Sequence, residues 1–206
     1  ILPYGIRGPS GDIKVTKQNF FLEHNMKVSL FSVGIFSRIE EQKGQHLVLE
    51  AIKQSKHDIQ LFIIGHCMDD KYRKNLIERT SKYNLKKFVK FIEFVDSPMS
   101  FMPCFDAIIL PTYEETFGLT VAEAMLMRVP VIGSNAGGVP EIIDHGYNGL
   151  LFETKNHDDL QEKIDLIIEK KEMRQKLVDN GIKFVNEQYD YHTHYIKFEK
   201  ILSRYQ

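Results

Sequence analysis

Short apolar runs alternate with amphipathic stretches along most of the chain. The runs are Val28–Phe36, Ile59–Ile64, Phe88–Ile92, Asp106–Pro111, Pro130–Gly133 and Leu150–Phe152. Their length suits strands, and their nearly unbroken apolar character suits strands covered on both faces. Between them, apolar positions recur at helical spacing. Leu47, Val48, Ala51 and Ile52 share one face of a helix predicted over 45–55. Leu160, Ile164, Ile167 and Ile168 do the same after Asn156, which reads as an N-cap. Further helices are predicted over 70–83, 118–127 and 138–143, and from about Glu172 and Tyr191 onward. Ser97 reads as an N-cap with Pro98 at the first helical position.

Strands alternating with helices imply right-handed crossovers and a parallel sheet. The predicted fold is α/β: a doubly wound, mainly parallel six-stranded, Rossmann-like sheet with C-terminal helices. Ligands on such sheets bind beyond the carboxyl ends of the strands, where strand order reverses. Useful residues are therefore expected in the loops 37–44, 65–70, 93–97, 112–118 and 133–138. Residues 1–27 begin with Pro3, Gly5, Gly8, Pro9 and Gly11 and read as a linker or arm. Residues 28–190 read as the folded domain and 191–206 as a C-terminal helix. The opening Ile1-Leu-Pro-Tyr-Gly5 has neither a starting Met nor the shape of a signal peptide, so a fragment of a longer protein is expected.

Composition narrows the classes. At 206 residues, the chain is long enough to bury a full core without a disulfide or metal staple. Its 27 Lys and Arg balance 28 Asp and Glu, which argues against a general nucleic-acid binder. Two cysteines, Cys67 and Cys104, make neither a disulfide scaffold nor a zinc site, and a reducing compartment is the expected home. No apolar run approaches the ~20 residues of a membrane helix. Walker A, G-x-G-x-x-G, H-E-x-x-H and G-x-S-x-G motifs are absent, as is the D-x-D of a metal-clamped diphosphate site.

The segment Pro111-Thr-Tyr-Glu-Glu-Thr-Phe-Gly-Leu-Thr-Val-Ala-Glu-Ala-Met125 runs from a strand end, through a loop, into a helix. Backbone N–H groups around Phe117, Gly118, Leu119 and Thr120 would face the ligand crevice, a setting that favours a phosphate. Glu115 precedes that helix and Glu123 lies one turn inside it. Two acceptor-only carboxylates flanking one anion site suit a ligand with hydroxyls on both sides of a phosphate. Such carboxylates repel a diphosphate unless cations offset them. Arg38 and Lys43, in the loop after the first strand, are the candidates.

These segments together resemble the C-terminal, donor-binding half of family 4 glycosyltransferases, retaining enzymes of the GT-B fold. The resemblance rests on Arg38 to Lys43-Gly44, on Glu115 to Glu123 in an E-x-F-G-x(4)-E-A context, and on Gly137-Gly-Val-Pro-Glu141 followed by Asp144-His-Gly-Tyr-Asn-Gly149. It covers about residues 28 to 190, with Leu2-Pro-Tyr-Gly5 resembling the interdomain linker. It implies that Arg38, Lys43 and Glu115 are catalytic. It implies a donor-binding set of Gly34, Gly65, Ile92, Glu93, Phe94, Phe117, Gly118, Leu119, Thr120 and Glu123. In that scheme Arg38 and Lys43 hold the diphosphate, Glu115 contacts sugar hydroxyls and Glu123 the ribose. The nucleobase lies near Gly65 and the backbone of 92–94.

The resemblance further implies a retaining hexosyltransferase that uses a UDP- or GDP-linked sugar, with no cofactor and no metal. The acceptor, a glycan or lipid-linked sugar, would bind a missing N-terminal domain, leaving the isolated domain inactive. A cytoplasmic location at the inner face of the membrane, with peripheral association of the full-length protein, is expected, and no nucleic-acid partner. His66, Cys67 and Glu93 stand where the family often has glycine or a glycine-rich turn. The alternatives are a GT-B nucleotide-sugar epimerase and a non-catalytic nucleotide-binding module.

Overall fold

A computed structural model of the chain describes residues 5–9 and 15–203. In chain order, the strands are β1 (Phe31–Phe36), β2 (Ile59–Ile64), β3 (Val89–Ile92), β4 (Ala107–Leu110), β5 (Val131–Ser134) and β6 (Leu150–Phe152). The helices are α1 (Lys17–Glu23), α2 (Gln45–Gln54), α3 (Asp70–Lys82), α4 (Leu119–Leu126), α5 (Val139–Ile142), α6 (His157–Glu169), α7 (Lys171–Gln188) and α8 (Tyr191–Leu202). The six strands are all parallel, in the order β3-β2-β1-β4-β5-β6. The order reverses between β1 and β4, so the crevice above their carboxyl ends is where this topology places ligands.

Alternation along each strand sends successive side chains to opposite faces. Val33, Ile35, Leu61, Ile63 and Ile109 meet α2, α3 and α6 through Val48, Ala51, Leu76 and Ile164. Phe36, Phe62, Ile64, Ile108 and Leu110 meet the opposite layer through Phe21, Val121, Ala122, Met125 and Val185. Both faces are thus sealed, which is why the strand runs carry no polar alternation. Asn156 caps α6 as expected, its side chain accepting from the N–H groups of Asp158 and Asp159.

Three expectations need correction. Residues 17–23 are not open arm. Thr16 caps α1 by accepting from Asn19 N–H, and Phe20 and Phe21 are buried against Phe62. Lys17 Nζ reaches Asp106 Oδ2 at 2.7 Å, tying the helix to the start of β4. Seven residues are too few for a periodic pattern, so only tertiary burial identifies α1. The first strand begins at Phe31, with Val28 exposed before it. Ser97 does not cap: it sits at φ 54° without a side-chain cap bond, and two 3-10 turns, Pro98–Ser100 and Met102–Cys104, replace the expected helix.

Residues 1–4 and 10–14 of the expected arm, and 204–206 of the expected final helix, lie outside the described residues. Ile6 N–H donates to Tyr189 O at 2.8 Å, so the described piece of the arm is fastened to the α7–α8 junction. Among the described residues no helix is long and apolar enough to cross a membrane.

Candidate active site

Two loops build the crest of the sheet. The loop after β1 carries Arg38 and Lys43 and ends at Gly44, which opens α2. The loop after β4 carries Glu115 and ends at Gly118, which opens α4. They touch directly: Tyr113 N–H donates to Gln42 O at 2.8 Å, and Thr112 Oγ1 donates to the same oxygen. Gly44 lies at φ 64°, and a Cβ there would stand 2.1 Å from Pro111 O. Only glycine lets the two backbones approach this closely.

Lys43 Nζ lies 3.1 Å from Glu115 Oε2, with both side chains largely buried. Arg38 instead points to Glu40, 3.0 Å from Oε1 in an ion pair that lacks hydrogen-bond geometry. Arg38 is the exposed member, with 59% of its side chain accessible. A hollow of about 240 Å³ joins Arg38 to Gly65, His66, Phe94, Thr120 and Glu123. Lys43 and Glu115 do not line it, so the four ionic side chains are not gathered around a single hollow. The start of α4 joins the two halves: Thr120 lines the hollow, and Gly118 would bring a Cβ to 3.8 Å from Glu115 Cγ. A larger hollow of about 390 Å³ opens beside His24 and Lys90 at the edge strand, but holds none of these groups. The chemistry, not the size, selects the crest.

Glu123 is half-buried, and its carboxyl makes no hydrogen bond or ion pair with the described residues. Burial pushes its carboxyl above the usual glutamate value. At the start of α4, the N–H groups of Gly118, Leu119 and Thr120 also have no protein acceptor among the described residues, while Gly118 O accepts from Val121 N–H. A carboxylate and three unpaired donors beside one another can take a ligand that offers both hydroxyls and anionic oxygens.

The Gly-Gly segment buttresses this loop from below. Gly138 N–H donates to Glu115 O at 2.8 Å. Gly137 sits at φ 53°, where a Cβ would stand 2.0 Å from Glu115 O. Phe117 is half-buried, and its ring packs edge-on against Tyr189 at 5.4 Å, so its side chain anchors the loop to the core. On the other side, His46 Nδ1 and Nε2 each lie 2.8 Å from a tyrosine hydroxyl, of Tyr72 and Tyr113. Burial foremost, then the Arg79 charge, lowers the His46 pKa; Glu41 and Glu50 oppose this.

Other expected residues fall as follows. Gly65 lines the hollow, and its N–H donates to Ile92 O at 2.9 Å. Phe94 is exposed and stacks on His66 at 4.8 Å, and both rings line the hollow. Glu93 is exposed outside that hollow, and Leu119 is exposed at the start of α4. Gly34 is buried within β1, paired with Phe62 and Ile108, where a Cβ would stand 3.0–3.1 Å from Ile108 and Phe105. It serves sheet packing below the crest. Glu40, Gln45, His46 and Tyr113 were not singled out from the sequence. Their polar side chains point inward only because of neighbours distant in sequence. Among the described residues no group of three or more His, Cys, Asp or Glu could hold a metal ion.

With this geometry in view, residues 17–184 match the sequence profile of the family described as Glycosyl transferases group 1. The chain belongs to that family and has its GT-B-type, Rossmann-like fold. An uncharacterised glycosyltransferase of Methanocaldococcus jannaschii is 35% identical over 175 residues, covering 82% of this chain and 46% of the relative. The O-antigen biosynthesis glycosyltransferase WclY of Escherichia coli is 32% identical over 158 residues, covering 77% and 42%. The crystal structure of Anabaena HepE in complex with UDP and glucose superposes with a TM-score of 0.86 at 27% identity, covering 94% of this chain and 55% of that one. The chain spans about half the length of the curated relatives it matches.

Proposed function

We propose that this chain is the donor-binding half of a retaining hexosyltransferase that uses a UDP- or GDP-linked sugar. The observation that carries the reading is the start of α4. Its unpaired N–H groups sit between Glu115 and Glu123, and the loop bearing Arg38 and Lys43 lies against the same crest. In this reading Arg38 and Lys43 take the diphosphate, Glu115 the sugar hydroxyls and Glu123 the ribose hydroxyls. Gly65 and Phe94 border the nucleobase.

The chemical task is stabilisation of the leaving group. Negative charge grows on the diphosphate as the glycosidic bond breaks. In this reading Arg38 and Lys43, once drawn from Glu40 and Glu115 to the diphosphate, lower that barrier together with the start of α4 and without a divalent metal. Retention follows if the acceptor attacks from the face the diphosphate leaves, with a donor phosphate oxygen accepting the acceptor's proton. The acceptor, a glycan or lipid-linked sugar, binds outside this chain. The parent enzyme works in the cytoplasm at the inner membrane face. The UDP and glucose bound by Anabaena HepE support the donor class.

A thermal-shift panel of UDP, GDP, ADP and their sugars tests this reading. A ligand held only by the folded state at 100 times its Kd adds about 2.7 kcal/mol of stability. One nucleoside diphosphate and its sugar should stand out. A chain that responds to none does not bind a donor.

A further inference from the structure

Gln45 is the first residue of α2 and is fully buried. Its amide donates twice into the neighbouring loop: Nε2 lies 2.7 Å from Arg38 O and 3.1 Å from Ser37 Oγ. Its Oε1 is buried with no hydrogen-bond partner among the described residues. A buried, unpaired carbonyl oxygen costs stability, and a methionine of the same length would avoid that cost. Packing therefore does not account for glutamine here. The two donated bonds do.

The corner they hold is the one that presents Arg38. From the sheet side, Ser37 N–H donates to Ile64 O at 3.1 Å, and Ile39 N–H to His66 O at 2.8 Å. Those bonds leave Arg38 O, between them, facing α2, where Gln45 takes it. The Arg38 side chain is long and mostly exposed, and among the described residues its ion pair is with Glu40 alone. Its reach is set by where its backbone is fixed, and Gln45 closes that restraint. Gly44 holds Gln45 in turn, because the turn at Gly44 is pressed on Pro111 O.

We propose that Gln45 is a positioning residue for phosphate recognition: it aims Arg38 at the donor diphosphate and touches no ligand itself. This rests on the phosphate role of Arg38 proposed above.

The test compares wild type, Gln45→Met, Arg38→Ala and the double variant, using UDP titration by calorimetry, thermal melts and phosphorus NMR of bound UDP. Gln45→Met should fold but melt somewhat below wild type, since Arg38 O loses its donor while the unpaired Oε1 is removed, and should bind UDP about five- to twentyfold more weakly, as expected for lost hydrogen bonds. The β-phosphorus signal of its UDP complex should move toward that of Arg38→Ala. In the Arg38→Ala background the same change should add almost nothing, since the two act through one contact. Should Gln45→Met fail to fold, Ser37→Ala with Gln45→Leu gives the same comparison: the first retains the bond to Arg38 O and most affinity, the second loses both. Arg38→Ala weakening UDP while Gln45→Met leaves affinity and the phosphorus signal unchanged overturns the positioning role alone. Unchanged affinity in Arg38→Ala overturns the phosphate role of Arg38 and this inference with it.

Discussion

Lys43 Nζ and Glu115 Oε2 stand 3.1 Å apart although 72 positions separate them in the chain. The pair closes the seam between the loops after β1 and β4. Lys43, the proposed diphosphate cation, is thus neutralised by Glu115, the proposed partner of the donor's sugar hydroxyls. Donor binding must part them or bridge them.

Lys43→Ala should weaken nucleoside diphosphate binding by about 1.5–3 kcal/mol, the range for hydrogen bonds to charged groups. Glu115→Gln should leave UDP affinity unchanged or improved, because it frees Lys43, while weakening the sugar donor. Calorimetry with UDP and the UDP-sugar separates these outcomes. Equal losses for both ligands would remove Glu115 from the sugar site.

Arg38 is held back by Glu40. Glu40→Gln should release it and tighten UDP binding by about 0.2–1 kcal/mol, the scale of an exposed ion pair. The gain should shrink in high salt, where phosphate contacts are screened. Titrations at low and high ionic strength check both points, and an unchanged low-salt affinity would show that Glu40 does not compete.

Glu123 carries a testable cost. Its folded pKa is raised by burial, so the folded state binds its proton more tightly than the unfolded state. The stability it contributes is therefore greatest below the ordinary glutamate pKa and is lost as pH rises through the raised folded value. Glu123→Gln should melt higher than wild type at neutral pH, with the difference vanishing in acid. It should also lose about 1.5–3 kcal/mol of UDP binding if the carboxylate meets the ribose. Melts from acid to neutral pH, paired with UDP titration, measure the two effects.

His46 gives the opposite sign. Its pKa is lowered, so its contribution is complete above the ordinary imidazole pKa of 6.5 and is lost as pH falls toward the folded value. Wild type should lose melting temperature more steeply below pH ~6.5 than His46→Asn, because protonation breaks the contact with one tyrosine hydroxyl. Parallel slopes would show that the two tyrosines do not depend on neutral His46.

Gly137→Ala combines a positive φ with a methyl group 2.0 Å from Glu115 O. The backbone conformation alone costs about 1–2 kcal/mol, and the loop must also shift. A urea midpoint should fall accordingly, and donor affinity should fall further than UDP affinity because Glu115 moves. Wild-type stability in this variant would contradict the close packing of these loops.

Much of the fold was legible in the sequence because strand and helix signals are local. Ile59–Ile64 and the cap at Asn156 appear where the pattern placed them. Topology alone also puts the ends of β1 and β4 side by side, so Arg38, Thr120 and Glu123 share a hollow, but Lys43 and Glu115, expected around the same site, do not line it. The helix at Lys17–Glu23 was not, because its stability comes from Phe20 and Phe21 docking on a remote sheet face.

The sequence by itself determined a doubly wound sheet and the loops that crown it, since the period of apolar positions dictates which faces must be covered. Only the tertiary structure decided which charges meet. It set Lys43 on Glu115, Arg38 on Glu40 and buried Gln45 beneath the Arg38 corner. Such partnerships depend on distances of a few ångströms between segments far apart in the chain, and no spacing along one strand or helix encodes them.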